Sequence, residues 1–193
     1  MPRVISGSAG GIHLSSVRGL ETRPTADRVK EALFSMLMSR WPPQGFLDLY
    51  AGTGQIGLEA ASRGADPVVL VEKNRDGCRV IRENIEKTHL SASVCLLQRP
   101  VGPALDALRR EGRSFSLIFA DPPYREALQT LSRLAGPLAD LLTPDGRLIL
   151  EHDAVTASPA NVTYLQLERC CQYGTAMLSF YQKMATAHAA GVV

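Results

Sequence analysis

The sequence predicts one α/β domain on a mostly parallel sheet, and three features carry that reading. Short apolar runs alternate with amphipathic helical stretches from residue 46 to residue 150, the pattern of strand–helix–strand units. A glycine turn, Gly52-Thr53-Gly54-Gln55-Ile56-Gly57, follows the first run and opens a helix, the context in which such a loop brings backbone close to a ligand. The last two apolar segments have no helical pattern between them, which predicts an antiparallel pair at the sheet edge.

The elements follow in order. Arg3-Val4-Ile5 and Ile12-His13-Leu14 flank a Gly-rich connection and predict a hairpin, one too small to fold alone. Thr25 to Arg40 carries apolar residues at Val29, Leu33, Phe34, Met36 and Leu37, one face of a helix, with Thr25 as candidate N-cap and Trp41-Pro42-Pro43 as its stop. Strands are predicted at 46–50, 68–71, 94–97, 115–120 and 147–150, with helices after Gly54 and over 74–87, 103–110 and 127–142, the last as one helix or two. Pro144-Asp145-Gly146 predicts a turn into the fifth strand. Val162–Leu167 and Ala176–Tyr181, joined through Tyr173-Gly174, form the closing pair. The expected organisation is an N-terminal arm over 1–22, a main domain over 23–183 and a loose tail over 184–193.

Composition narrows the classes. The chain has 193 residues, 45% of them hydrophobic, enough for one sizeable core, and its net charge of +2 is too small to announce nucleic-acid binding by itself. A local basic cluster does exist in Arg3, Arg18, Arg23, Arg28 and Lys30; it reads either as a solvated face or as an arm for phosphate contacts. The cysteines, Cys78, Cys95, Cys170 and Cys171, have no C-x-x-C spacing and two are adjacent, so reduced, mostly packed thiols are expected rather than a disulfide framework or zinc site. The first residues hold no apolar signal core and no run approaches the roughly eighteen apolar residues of a membrane helix. A cytoplasmic protein with no metal, acting as a monomer, is expected.

Candidate chemistry gathers at strand ends. Asp121 is the first polar group beyond Phe115–Ala120 and opens Asp121-Pro122-Pro123-Tyr124; such carboxyl ends are where α/β sheets bind ligands. A planar exocyclic amine must pyramidalise and lose a proton to accept a methyl group. Asp121 offers a carboxylate for that, Pro122 a carbonyl, Pro123 lacks a competing N–H, and Tyr124 can stack on a base. The bland alternative is a Pro-stiffened polar turn. Glu72 ends the second strand 18 residues after Gly54, close to the offset at which an acid reaches ribose hydroxyls; the alternative is a surface acid paired with Lys73 or Arg75.

Together Asp48-Leu49-Tyr50-Ala51-Gly52-Thr53-Gly54, Glu72 and Asp121-Pro122-Pro123-Tyr124 resemble a Rossmann-like (class I) S-adenosylmethionine-dependent methyltransferase of exocyclic amines. Arg3 to Leu14, Arg23-Pro24-Thr25-Ala26-Asp27-Arg28 through Phe34, and Tyr173-Gly174 through Tyr181 make the chain similar to the RsmD family over residues 3–183. The resemblance implies a seven-stranded, mostly parallel sheet with helices on both faces, an antiparallel edge and an N-terminal hairpin. It implies methylation of the 2-amino group of a guanine in small-subunit (16S) ribosomal RNA. Asp48, Ala51, Gly52 and Gly54 would line the cofactor's methionine end, Glu72 with Lys73 its ribose side, and Asp121 and Tyr124 the guanine. Arg3, Arg23, Thr25 and Arg28 would help hold RNA. Where similar enzymes commonly place a short acid or Asn to meet adenine, this chain has Gln98-Arg99-Pro100; Arg99 has no acceptor, which leaves backbone groups or Gln98. Other readings are methylation of another exocyclic amine, in DNA adenine or elsewhere in RNA, a nicotinamide-dependent oxidoreductase, and an RNA-binding relative with weakened catalysis.

Overall fold

The structure is a computed structural model that describes residues 2–17, 25–38, 41–123 and 126–184, the side chains of 25–27 excepted. Runs apolar on both faces must be covered on both faces, and they form the centre of the sheet. These are β1 (Gln44–Leu49), β2 (Asp66–Glu72) and β4 (Phe115–Ala120), with β3 (Val94–Gln98) outside β2 and β5 (Leu142–Asp153) outside β4. The sheet continues through β8 (Ala176–Lys183) to β7 (Leu165–Tyr173) and β6 (Asn161–Val162), giving the order β3-β2-β1-β4-β5-β8-β7-β6. The pairs from β3 to β5 are parallel; β8 runs antiparallel to both β5 and β7.

Helices cover both faces. On one lie α1 (Thr25–Leu37), α2 (Gln55–Ser62) and α3 (Arg75–Thr88), packed with the N-terminal hairpin on Phe46, Val68, Leu70, Leu117, Phe119 and Ile149. On the other lie α4 (Val101–Arg110) and α5 (Ala127–Leu141), packed on Leu47, Leu49, Val69, Ile118 and Leu148. Residues of the central strands alternate between these clusters, as the period of two requires, except at the start of β4, where Phe115 joins the α4–α5 cluster and Leu117 the other across the register shift. Asn74 caps α3, its side chain accepting from Asp76 N at 2.8 Å and Gly77 N at 3.2 Å.

The structure departs from the sequence reading in three places and decides one open alternative. The sheet has eight strands, not seven, because the two residues Asn161–Val162 add a short β6 beyond β7. The expected strand over 162–167 is this β6, a turn, and the start of β7. β5 begins at Leu142, so Pro144-Asp145-Gly146 sits within it, where the register against β4 shifts between Phe115 and Leu117; a bulge absorbs the turn residues. The cysteines are not mostly packed: Cys78 is buried, but Cys95 and Cys170 are exposed on half-solvated strands. Residues 127–141 form a single helix that continues past Pro137.

The hairpin reduces to one antiparallel bridge, Arg3 with His13, and gains its stability by docking. Glu59 on α2 is fully buried and accepts from Ile5 N at 2.6 Å, Ser6 N at 3.1 Å and Arg63 Nε at 2.7 Å. Buried Lys30 on α1 lies 4.0 Å from Glu59 and donates to the Arg3 carbonyl at 2.5 Å. Ser62 donates to Ser6 O and accepts from Ala9 N. Gly7, at φ 87, passes so close that a Cβ there would sit 1.9 Å from the Ser62 carbonyl oxygen.

Glu59→Ala strands buried donors on three segments, and the loss of one partner from a buried charged network typically costs about 3–5 kcal/mol. The variant is expected to lose stability on that scale in urea unfolding, with the amides of Ile5 and Ser6 exchanging early. An unchanged midpoint and unchanged protection would contradict this account of the hairpin.

Candidate active site

The sheet order 3-2-1-4-5 reverses between β1 and β4, and a crevice opens at such a switch point beyond the strands' carboxyl ends. Register decides what points into it. Leu49 pairs with Val71 and with Ala120, and Ala120 pairs with Leu150. One residue further on stand Glu72, Asp121 and Glu151. By alternation these three, and Asp48 one turn of pleat below, fall on the face covered by α1, α2 and α3. Tyr50 interrupts the row: at φ 62 it leaves the extended conformation, and its ring packs with the α5 side of the sheet. That vacates the space above β1, between Glu72 and Asp121.

The glycine loop closes one wall. Gly52, at φ 58, faces open space, the nearest atom to a Cβ there being the Tyr50 carbonyl oxygen at 3.9 Å. Gly54 takes φ 79 at the N-cap of α2. Gly57 lets α2 lie on β2, since a Cβ would meet Leu70 Cδ2 at 2.1 Å. Asp48, only 2% exposed, accepts from Gly57 N at 2.9 Å and ties helix to strand. Glu72 spans the loop and α3, its carboxylate accepting from Gly52 N at 2.9 Å and Asn74 N at 2.7 Å. It is thus engaged with backbone amides rather than in the surface pair with Lys73 or Arg75 that was the alternative. Ala51 is buried beside it and Lys73 is exposed.

Burial of so many acids has an electrostatic consequence. Desolvation pushes Asp48 up to about 8, against the Gly57 hydrogen bond that lowers it and with smaller upward contributions from Asp121 and Glu72. Glu151 is pushed up to about 8 by desolvation and by the charge of Asp121. Asp121 rises to about 6 through desolvation, yet its side chain still touches solvent. The cause is therefore protein crowding on one side, which water at the crevice mouth moderates.

The remaining sequence-derived residues divide. Pro122 is buried and Pro123 exposed beside Asp121. Gln98 lies at the tip of β3 opposite Glu72 and accepts from Arg82 at 2.8 Å; Arg99 is exposed next to it. Arg3 and Arg28 are exposed, on the hairpin and on α1. Arg23, Tyr124 and the Thr25 side chain lie outside the described residues. Sequence reasoning missed Glu151, although the same signal that marked Asp121, an acid directly after a buried run, was present there. It also missed Asn84, fully buried on α3, which bonds both the backbone of Ser15 and the Thr53 carbonyl of the glycine loop. A separate open depression of about 960 Å³ at the other end of β4, lined by Arg109, Arg110, Arg113 and Asp140, holds none of these residues.

The chain has relatives among known proteins. The family model described as "Conserved hypothetical protein 95" matches residues 2–182. The putative rRNA methyltransferase YlbH of Bacillus subtilis is 34% identical, the match covering 94% of this chain and 98% of that protein. Ribosomal RNA small subunit methyltransferase D of Haemophilus influenzae is 31% identical over 85% and 86% of the two chains. This chain belongs to the RsmD family. A solved structure described as the putative methyltransferase yhhF from Escherichia coli superposes with a TM-score of 0.78 at 26% identity, covering 95% and 98%. Like other RsmD-family members, the chain is an S-adenosylmethionine-dependent methyltransferase of Rossmann-like fold.

The residues present fit that cofactor. Gly52 leaves room where a side chain would intrude. Gln55, first residue of α2, has a buried Oε1 without a hydrogen-bond partner among the described residues, an acceptor suited to an ammonium group entering beside the loop. Each Glu72 oxygen retains acceptor capacity for ribose hydroxyls beyond its amide contact. Among the described residues there is no group of three or more His, Cys, Asp or Glu placed to hold a metal ion, and no helix is long and apolar enough to cross a membrane.

Asp48 supplies a pH test. The folded protein keeps its proton up to about 8 while the unfolded chain releases it near 3.8, so the folded state binds more protons in that window and stability falls as pH rises through it. Asn at this position keeps an acceptor for Gly57 N and cannot titrate. Asp48→Asn is expected to show a flatter fall of Tm between pH 4 and about pH 8 in thermal unfolding followed by circular dichroism. Equal slopes for the two proteins would remove Asp48 as the source.

Proposed function

We propose that this enzyme transfers the methyl group of S-adenosylmethionine to the exocyclic 2-amino group of a guanine in small-subunit (16S) ribosomal RNA. The observation that carries the reading is the position of Asp121 at the β1/β4 switch point, on the same sheet face as Glu72 and the glycine loop, with Pro122 next to it in the chain. The names of the relatives, rRNA methyltransferase and ribosomal RNA small subunit methyltransferase D, support the substrate. When bound, the cofactor supplies an electrophilic methyl group on a sulfonium.

The chain's own groups do the rest. Asp121 and the Pro122 carbonyl accept the two hydrogens of the amine, favouring the pyramidal nitrogen whose lone pair points at the methyl carbon. As positive charge grows on nitrogen, the Asp121 carboxylate stabilises it and then takes the proton. Pro123 contributes no N–H to compete for that space, and Tyr124 stacks on the base. Glu72 holds the ribose hydroxyls, and Gln98 or backbone at the tip of β3 meets adenine. Arg3 on the arm over residues 1–22 contacts RNA phosphates together with Arg23, Thr25 and Arg28 at the start of the transferase domain, which spans 23–183. The target guanine must leave its stack to enter the crevice, which a single-stranded or loop nucleotide does most cheaply.

The experiment is transfer of labelled methyl to small-subunit RNA from a strain lacking the modification, free and assembled, with mapping of the labelled nucleotide. Label on a guanine 2-amino group is expected; label on protein, DNA or adenine instead would overturn the substrate. In the same assay Asp121→Ala is expected to lower turnover about 10²–10³-fold, the usual cost of removing a group that stabilises transition-state charge. Its affinity for S-adenosylhomocysteine in calorimetry should be little changed. Full turnover in that variant would remove Asp121 from the chemistry.

A further inference from the structure

We infer that Glu151 is a specificity-determining residue, accepting the N1–H of the same guanine whose 2-amino group Asp121 and the Pro122 carbonyl hold. The inference rests on the proposed substrate and deepens it. Glu151 follows Leu150, the partner of Ala120, so it stands beside Asp121 across the β4–β5 pair, on the same face of the sheet. Adjacent strands are about 4.8 Å apart, wider than the separation of neighbouring groups on a purine edge, so the two acidic side chains meet adjacent donors by leaning toward one another above the strand tips. Guanine presents N2 and N1–H as consecutive donors on that edge.

Glu151 is free to take the second donor. Its carboxyl has no hydrogen bond or ion pair among the described residues, although it is half-buried. On its own strand Asp153 is bonded to Val155 N, and His152 points to the opposite face with Ser158 and Ser179. From β8 the neighbour in register is the apolar Leu178, and Cys171 of β7 lies beyond it. Among the described residues, the charge that acts on Glu151 is that of Asp121. A half-buried carboxyl without a partner is costly to keep, and a ligand donor repays that cost. Charged or neutral, the group retains an oxygen that accepts. A base with a bare N1 offers it no such hydrogen, and a site built to hydrogen-bond a substrate N–H discriminates strongly against the analogue lacking it.

The test crosses enzyme variants with a single change in the base. Small-subunit RNA is assembled with either guanine or 2-aminopurine at the nucleotide mapped for the wild type; the analogue keeps the 2-amino group and lacks both the N1–H and O6. A contact to O6 made by another group cancels when wild type and Glu151 variants are compared on the same two bases. Glu151→Ala is expected to lose about ten- to a hundredfold in kcat/KM on guanine, the cost of leaving a buried substrate donor without its acceptor, and much less on 2-aminopurine. Glu151→Gln, which keeps an acceptor oxygen and the side-chain volume, should restore most of the guanine activity. Unchanged affinity for S-adenosylhomocysteine in both variants confirms an intact cofactor site. Equal losses on the two bases, or no loss on guanine, overturn the role of Glu151 while leaving the substrate standing. If the wild type labels no guanine 2-amino group at all, the substrate assignment falls and this role falls with it.

Discussion

The parallel register across β2, β1, β4 and β5 determines where every polar group of the crevice stands. Glu72, Asp121 and Glu151 are each one residue past an aligned set, Val71, Leu49, Ala120 and Leu150. A slip of one residue in any strand would send its acid to the α4–α5 face and bring an apolar side chain into the crevice. Burial on both faces makes such a slip expensive, because Leu47, Leu49 and Val69 belong to one core cluster and Phe46, Val68 and Leu70 to the other. The core thus positions the chemistry without touching it.

That alignment brings Asp48, which is buried, Glu151, which is half-buried, and Asp121, which is exposed at the crevice mouth, close together. Asp48, Asp121 and Glu151 all hold protons more tightly than free carboxyls do, first because of desolvation. Structure alone gains little from this: Asp48 earns one backbone contact from Gly57, and Asp121 and Glu151 have no side-chain hydrogen bond among the described residues. Arrangements that cost stability and bring no structural return are expected at ligand sites. A cofactor bearing positive charge and a base presenting N–H donors are the kinds of ligand that convert the cost into binding.

Much of this was legible from sequence because it depends on local pattern. The alternation of apolar runs and helical stretches gave the layers, and strand-terminal acids such as Glu72 and Asp121 stood out by position. What escaped reading depends on distance along the chain. Glu59 meets Ile5 across 54 residues and Asn84 meets Ser15 across 69, and no periodicity announces such partners. Tyr50 was read as the last residue of a strand, but its positive φ is set by the turn that follows. The two-residue β6 is too short for any alternation to register, and the bulge that takes Pro144-Asp145-Gly146 into β5 is imposed by pairing with β4. Glu151 carries the same positional signal as Asp121, an acid directly after a buried run, but His152-Asp153 follow it instead of Pro-Pro-Tyr, so no local motif ties it to a chemistry.

The buried polar contacts also bear on how the arm and the crevice relate. Were the hairpin a loose appendage, its basic residues would offer charge without geometry. Instead Glu59, Lys30 and Ser62 fix its first half to α1 and α2, and Asn84 fixes its exit at Ser15. The same Asn84 amide donates to the Thr53 carbonyl inside the glycine loop, so one buried side chain spans the arm and the cofactor wall. A fully bonded buried amide of this kind specifies relative position more than it adds net stability. The consequence is geometric: a strand of RNA held along the arm would meet the crevice at a fixed offset, and the choice of nucleotide would be set by that offset together with the hydrogen bonds its base makes at the strand tips.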